Sequence, residues 1–465
     1  MSTPRIACLL LCSGLFAQTP AEEIQALKER VAALEKIVAQ MQGAIAAAAP
    51  VVAAAPVAAA APVAGAVPAV VGAALPPAPS IPPGARREVT SDDPRTAARI
   101  DNKPIDPQMR GYFTLPGTET MLRFGGYAKV DFINDFRPAG NTDTFVPASI
   151  PTSALPGASS YQIHARQTRL NLEMRRNIDG STLKFFTEVD LFGSNATSFR
   201  MRHAYGQWKN LLAGWTWSTF VDIDAIPDTL DFATPNSMSL VRQAQVRYTR
   251  KLRGGHSFAI SAERPLVETD LEASFNVKPT ALMPDFSSKW RYDGERGHWQ
   301  LGSVVRSIGG YIGTIGEKHT LGYGLSLGGG YDLGERDHLS FQVNGGEGIG
   351  RYLNDLSGRN SDLSATAEGA LSALPAGGGF AALQHRWNRQ WRSNAVFSFV
   401  RVSNSDAQPA NALARSGYSA VNLIWSPDKS LLLGAEYLYG WNAQKGGPRA
   451  SASRLQLSVM YYLVK

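Results

Sequence analysis

From Met121 to the C-terminus, apolar and polar side chains alternate at every second position. Leu122, Phe124, Ala128, Val130 and Phe132 interleave with Arg123, Tyr127, Lys129 and Asp131. Leu183, Phe185, Val189 and Leu191 interleave with Lys184, Glu188 and Asp190, and Leu455, Leu457, Val459, Tyr461 and Leu463 with Gln456, Ser458 and Tyr462. A period of two sends successive side chains to opposite faces of a strand. Segments of about ten residues with this alternation, separated by turn residues, are the signature of a transmembrane β-barrel. About sixteen such segments can be read, an even number that lets an antiparallel barrel close. Short turns, at 177–180 and 254–255, alternate with longer connections at 135–160, 222–238, 265–283, 346–377 and 403–415. That arrangement puts turns on one rim and loops on the other. Trp208, Trp290, Tyr292, Trp299, Trp387, Trp391, Trp425, Tyr437 and Tyr439 lie near strand ends, where aromatic girdles form.

The period changes upstream. Ile24, Val31, Val38 and Ile45 fall at one heptad position, and Leu27, Leu34 and Met41 at the other, which predicts a short coiled coil over 18–45. Residues 46–96 are rich in Ala and Pro, with Pro50, Pro56, Pro62 and Pro68 six residues apart. Proline at this density excludes a long helix, and a polyproline-like spacer at about 3.1 Å per residue reaches on the order of 100 Å. Residues 1–17 read as a secretory signal, with Arg5 before an apolar stretch from Ile6 to Leu15 and Ala17 before the cut. Cys8 and Cys12 both fall inside it, so the mature chain is expected to lack cysteine. The fold expected is thus all-β: a 16-stranded antiparallel transmembrane barrel over 97–465, preceded by a coiled-coil helix and an Ala/Pro-rich linker.

Composition narrows the function classes. Of 465 residues, 44% are hydrophobic and 18% charged, yet no run of eighteen apolar residues exists to form a membrane helix. A membrane location then requires a closed barrel, because every backbone polar group must find a partner in lipid. The net charge of +7 is spread as single arginines within alternating segments, which argues against nucleic acid and for a charged lumen. A charge facing lipid at mid-bilayer costs roughly 2–4 kcal/mol. Arg123, Lys129, Arg166, Arg169, Arg200, Arg202, Arg242 and Arg247 are therefore the candidate pore-lining or substrate-binding residues. The connection after the fifth strand carries Asp222, Asp224, Asp228 and Asp231, the candidate constriction loop. Acidic and basic clusters opposed across a narrow lumen would orient dipoles, and an excess of arginine favours anions. The alternative is that these charges pair with one another and brace the wall. Arg200, Arg202 and Arg242 share the parity of Ala204, Ala244 and Val246, so they must lie past the membrane edge or follow a bulge.

Catalysis finds little support. Residues 324–328 match the Gly-x-Ser-x-Gly pattern, but that pattern needs a strand–turn–helix setting, and here it sits in alternating strand sequence. The seven histidines are dispersed without metal-ligand spacing. No cofactor motif is present, so neither enzyme, cofactor nor metal is expected.

Residues 111–136 (GYFTLPGTETMLRFGGYAKVDFINDF), 165–175 (ARQTRLNLEMR), 185–193, 200–222, 227–249 and 421–440 stand in the barrel sequence in that order. On these segments the chain resembles the DcaP-like family of trimeric outer-membrane porins, and the resemblance covers most of the chain. It implies a homotrimer of sixteen-stranded barrels in the outer-membrane lipid of a Gram-negative cell. It also implies a periplasmic N-terminal coiled coil and passive uptake of small anionic solutes, dicarboxylates among them. A competing role would be structural, with the coiled coil and linker tethering the outer membrane to peptidoglycan.

Overall fold

The computed structural model describes residues 111–153, 159–193, 198–269, 278–312, 316–365 and 370–463. The expected signal segment, coiled coil and linker lie outside the described residues. No described helix is long and apolar enough to cross a membrane.

Sixteen antiparallel strands close into a barrel. In chain order they are β1 (Thr120–Asp135), β2 (Ser160–His164 and Arg169–Ile178, both paired with β1), β3 (Ser181–Asp190) and β4 (Arg200–Trp208). Then come β5 (Leu211–Trp217), β6 (Arg242–Lys251), β7 (His256–Glu263) and β8 (Asp285–Asp293). The second half is β9 (Gly297–Ile312), β10 (Gly316–Asp332), β11 (Asp337–Glu347) and β12 (Pro375–Arg386). The last four are β13 (Trp391–Val402), β14 (Leu413–Asp428), β15 (Leu431–Gln444) and β16 (Arg449–Tyr462). Pairs such as Val130↔Val459 join β16 to β1 and leave no free edge.

The alternation read from sequence assigns the two faces. On β1, Arg123, Tyr127, Lys129, Asp131 and Asp135 are buried inside, while Phe124 is exposed outside. Leu325, Val343, Phe397, Val421 and Leu457 extend the exposed apolar band. At the short-turn rim Trp208, Trp290 and Trp387 are exposed, and Trp290 packs edge-on to Trp299 at 5.1 Å, as a girdle requires. The β2–β3 turn places Asp179 and Gly180 at φ of 48° and 70°. Both central residues of a type I′ hairpin turn need positive φ, which is why Asp-Gly sits there.

The Gly-x-Ser-x-Gly stretch is mid-strand: Ser326 pairs with Gly302 on β9 and Asn344 on β11. The backbone there is continuous ladder, with no turn to expose a nucleophile.

The lumen has its own apolar core. Three connections from the long-loop rim fold inward: the stretch around Phe145 and Ala148, the 218–241 connection after β5, and the described part of the 348–374 connection after β11. Ala148, Phe220, Val221, Ile349, Tyr352, Leu353 and Leu356 pack against Val304 on β9 and Val400 on β13. A second cluster joins Phe145, Ala225 and Met238 to Phe380, Tyr418 and Leu438.

Candidate functional site

The 218–241 connection is fastened along one side of the lumen by pairs reaching almost every strand from β8 to β1. At its start, Asp222 accepts from Arg291 at 3.2 Å and lies 3.0 Å from His298. Asp224 lies 2.8 Å from the same Arg291. Asp228 accepts from Arg392 at 2.6 Å, and Asp231 accepts from the Phe145 backbone N–H at 2.7 Å and lies 3.4 Å from Arg454. Glu436 on β15 accepts the backbone N–H groups of Leu230 and Asp231 at 2.9 and 2.8 Å. Further along, Asn236 donates to Ser416, and Ser237 and Ser398 share a hydrogen bond of 2.8 Å. All four candidate aspartates thus point from the loop into the wall beside it and act as its anchors. Burial pushes the Asp231 carboxyl up despite Arg454 and the two N–H groups it accepts. Burial also opposes ionisation of Asp222, but His298 and Arg291 outweigh it and hold that carboxyl below the usual range.

Close approach of loop to wall depends on missing side chains. A Cβ at Gly328 would lie 2.9 Å from the Asp222 carboxylate, and one at Gly434 would lie 2.8 Å from Leu230.

The facing wall, strands β2 to β8, carries the cations. Arg169 lies 3.9 Å from Glu188 and stacks over Phe232 of the loop at 5.1 Å. Arg202 donates to Glu188 at 2.8 Å and Asp190 at 2.9 Å, and Arg200 lies 2.7 Å from Asp190 nearer the rim. A bulge explains their parity: Glu188 pairs with His203 and Val189 with Met201, so Arg202 is the extra residue. Both Arg202 and His203 then turn inward. Arg242 opens β6 at the loop rim, its guanidinium 4.6 Å from the Trp217 ring centroid. Arg247 points inward from β6. Arg169, Arg202 and Arg247 expose only 7%, 6% and 3% of their surface.

The other three candidates sit elsewhere. Lys129 donates to Asp131, Gln167 and the Leu230 carbonyl, and fastens the loop from the β1 side. Arg166 pairs with Asp143 at the loop rim. Arg123 and Arg175 lie 5.7 and 5.6 Å from the ring of Tyr112 at the short-turn mouth.

A family model described as DcaP outer membrane protein matches residues 114–463. The chain belongs to the DcaP outer-membrane protein family. Its fold is similar to the outer-membrane channel DcaP of Acinetobacter baumannii, with TM-score 0.69 and 21% identity over 76% of this chain and 99% of that one. It is also similar to an anion-selective porin from Comamonas acidovorans, with TM-score 0.50 and 12% identity over 74% of this chain and 100% of that one. No curated protein sequence matches it. The chain is accordingly an outer-membrane channel of porin architecture.

Several site residues of this DcaP-family channel escaped the sequence reading. Lys289 and Arg291 occupy inward positions of β8, and Lys289 has Arg247 and Arg291 as like-charged neighbours and Asp222 and Asp224 as oppositely charged ones. Among the described residues, Lys289 has no carboxylate within ion-pair distance. Arg306 on β9 bridges Asp285 at 3.0 Å and Asp362 at 3.1 Å, tying the 348–374 connection to the wall. The alternation in 285–293 held this information, since Ser287, Lys289 and Arg291 share one parity. Asp222, Asp224 and His298 bring three ligand-type atoms within 4.8 Å of one another, a grouping that linear spacing hides. Arg291 already lies between the two carboxylates and supplies the compensating charge a cation would bring.

Proposed function

We propose that this chain is a passive channel for small anionic solutes, dicarboxylates among them. The observation that carries the reading is the distribution of charge around the 218–241 connection. The loop aspartates are taken up by Arg291, Arg392 and Arg454 on their own side. Arg247 and Lys289 stand on the neighbouring wall, beside Arg169 and Arg202, which share Glu188 and Asp190. Among the described residues Lys289 has no carboxylate within ion-pair distance, with Asp222 and Asp224 as its more distant opposite charges, and a low-dielectric wall focuses the field of the basic residues around it on the solute path. Two carboxylates on one small solute could engage Lys289 and an arginine together, and arginine binds carboxylate bidentately.

The channel acts as a homotrimer in this reading, with the N-terminal coiled coil and linker in the periplasm. Both ends of the barrel, Thr120 and Tyr462, stand on the short-turn rim, which supports that orientation. Apposition of the passing anion to fixed cations is the only chemistry required, and no bond is made or broken.

Uptake of succinate into proteoliposomes tests the proposal. Lys289→Gln combined with Arg247→Gln should lower succinate flux by about tenfold, equivalent to about 1.4 kcal/mol at the barrier. Flux of a neutral sugar of similar size should stay unchanged. Equal loss of both fluxes, or loss of neither, would contradict the role given to these cations.

A further inference from the structure

The outer face of the barrel carries a basic rank that the channel reading does not use. Arg401 at the end of β13 pairs directly with Arg415 on β14. Arg415 pairs with Ala443 on β15, and Ala443 pairs with Arg449 on β16. Three arginines therefore stand in one cross-strand row, all exposed on the outward face at the long-loop rim. Arg137, also exposed, joins them from the connection after β1. Together Arg137, Arg415, Arg449 and Ser451 line a cleft of about 530 Å³ whose floor includes Trp441. Among the described residues, none of the four arginines has a carboxylate within ion-pair distance.

Position and composition restrict what fills the cleft. Like charges directly opposite on neighbouring strands destabilise a sheet unless something neutralises them. Below the row, Phe399 and Trp441 lie 6.1 Å apart, and the exposed apolar band with Phe397, Val421, Tyr437 and Leu455 follows. Trp441 lies against Gly417, where a Cβ would come within 2.3 Å of its indole nitrogen, so it packs flat on the wall and leaves the cleft open above it. The arginines thus sit just above the lipid-facing band, at the depth of the headgroups, where a charge costs only about 0–1 kcal/mol.

We propose that this cleft binds the phosphate of an anionic lipid headgroup in the leaflet on the long-loop side. Guanidinium groups bind phosphate through paired N–H donors, and strands about 4.8 Å apart present those donors at spacings a phosphorylated headgroup can bridge. The acyl chains of the same lipid lie along Phe397, Val421 and Tyr437, and Trp441 covers the boundary between headgroup and chain.

Native mass spectrometry of the full-length protein tests this, with a phosphorylated glycolipid of lipid A type and its dephosphorylated form as probes. The wild-type protein should retain the phosphorylated lipid at least about tenfold more than the dephosphorylated one. Arg415→Gln with Arg449→Gln should abolish that preference while conductance in the same preparation stays at the wild-type level, which verifies folding. Competition by millimolar inorganic phosphate alone would overturn the lipid assignment, since a free-anion site would then account for the cleft. An unchanged lipid preference in the double variant would overturn it too. So would dissociation of the double variant into smaller oligomers without change in bound lipid, because the row would then be a contact between copies of the chain.

Discussion

Arg291 is the most connected cation at the start of the 218–241 connection, reaching Asp222, Asp224 and Asp293 within 3.2 Å. Removing one partner leaves a buried charge partly uncompensated, and such losses cost about 1–3 kcal/mol. Asp222→Asn should therefore lower the unfolding midpoint in denaturant and release the start of the 218–241 connection, seen as new protease cleavage there. Unchanged stability together with unchanged cleavage would remove Asp222 from the anchoring role. Two carboxylates outside the strands add a pH dependence. Burial pushes Asp355 up from 3.8 to about 6, against its bonds from Ser416 and the Ala148 N–H. Burial, then the neighbouring Asp362, pushes Glu268 up from 4.5 to about 7. Both groups bind protons more tightly in the folded state, so their contribution is fully present below about pH 4 and is lost as pH rises through about 6–7. Acid should therefore hold the 348–374 connection against the wall, and single-channel conductance should fall as pH drops from 7 to 5. Asp355→Asn should flatten that profile; a profile insensitive to the substitution would remove Asp355 from the linkage.

At the scale of elements, sequence and structure agree where alternation is unbroken and part where it is interrupted. The faces of β1, β3 and β16 were legible because a one-residue slip would turn every charge toward lipid. The parity conflict at Arg200 and Arg202 was legible as a conflict, and the bulge at Arg202 resolves it by bending two successive side chains inward. The inserted connections were less legible. The 218–241 connection follows the fifth strand as expected, but Lys129 and the four aspartates hold it through partners about 70 to 223 positions away. No local pattern encodes such partners. The 348–374 connection read only as a long loop, although Tyr352, Leu353 and Leu356 bury themselves in the lumen as fully as any strand residue. Seating of these connections depends on glycines in the wall. Gly328→Val should push the Asp222 segment away and cost about 1–3 kcal/mol, as overpacking does. The same variant should raise conductance; lower conductance would mean that the added side chain itself blocks the passage.

For the whole molecule, the division of labour proposed between barrel and N-terminal segment predicts that they separate cleanly. Deleting residues 18–96 should leave conductance per pore unchanged, because every residue assigned to the passage lies between Arg123 and Arg454. A loss of conductance on deletion would mean that the segment shapes or blocks the short-turn mouth. The proposed preference for anions depends on Arg247 and Lys289 on the wall beside a loop whose carboxylates are paired with Arg291, Arg392 and Arg454. The zero-current potential of the reconstituted full-length protein under a tenfold KCl gradient reads that preference directly. A potential displaced toward the chloride equilibrium value, and moved back toward zero by Lys289→Gln with Arg247→Gln, is the expected result. A potential displaced toward potassium would contradict the account, because the passage would then be governed by the carboxylates and not by the cations beside them.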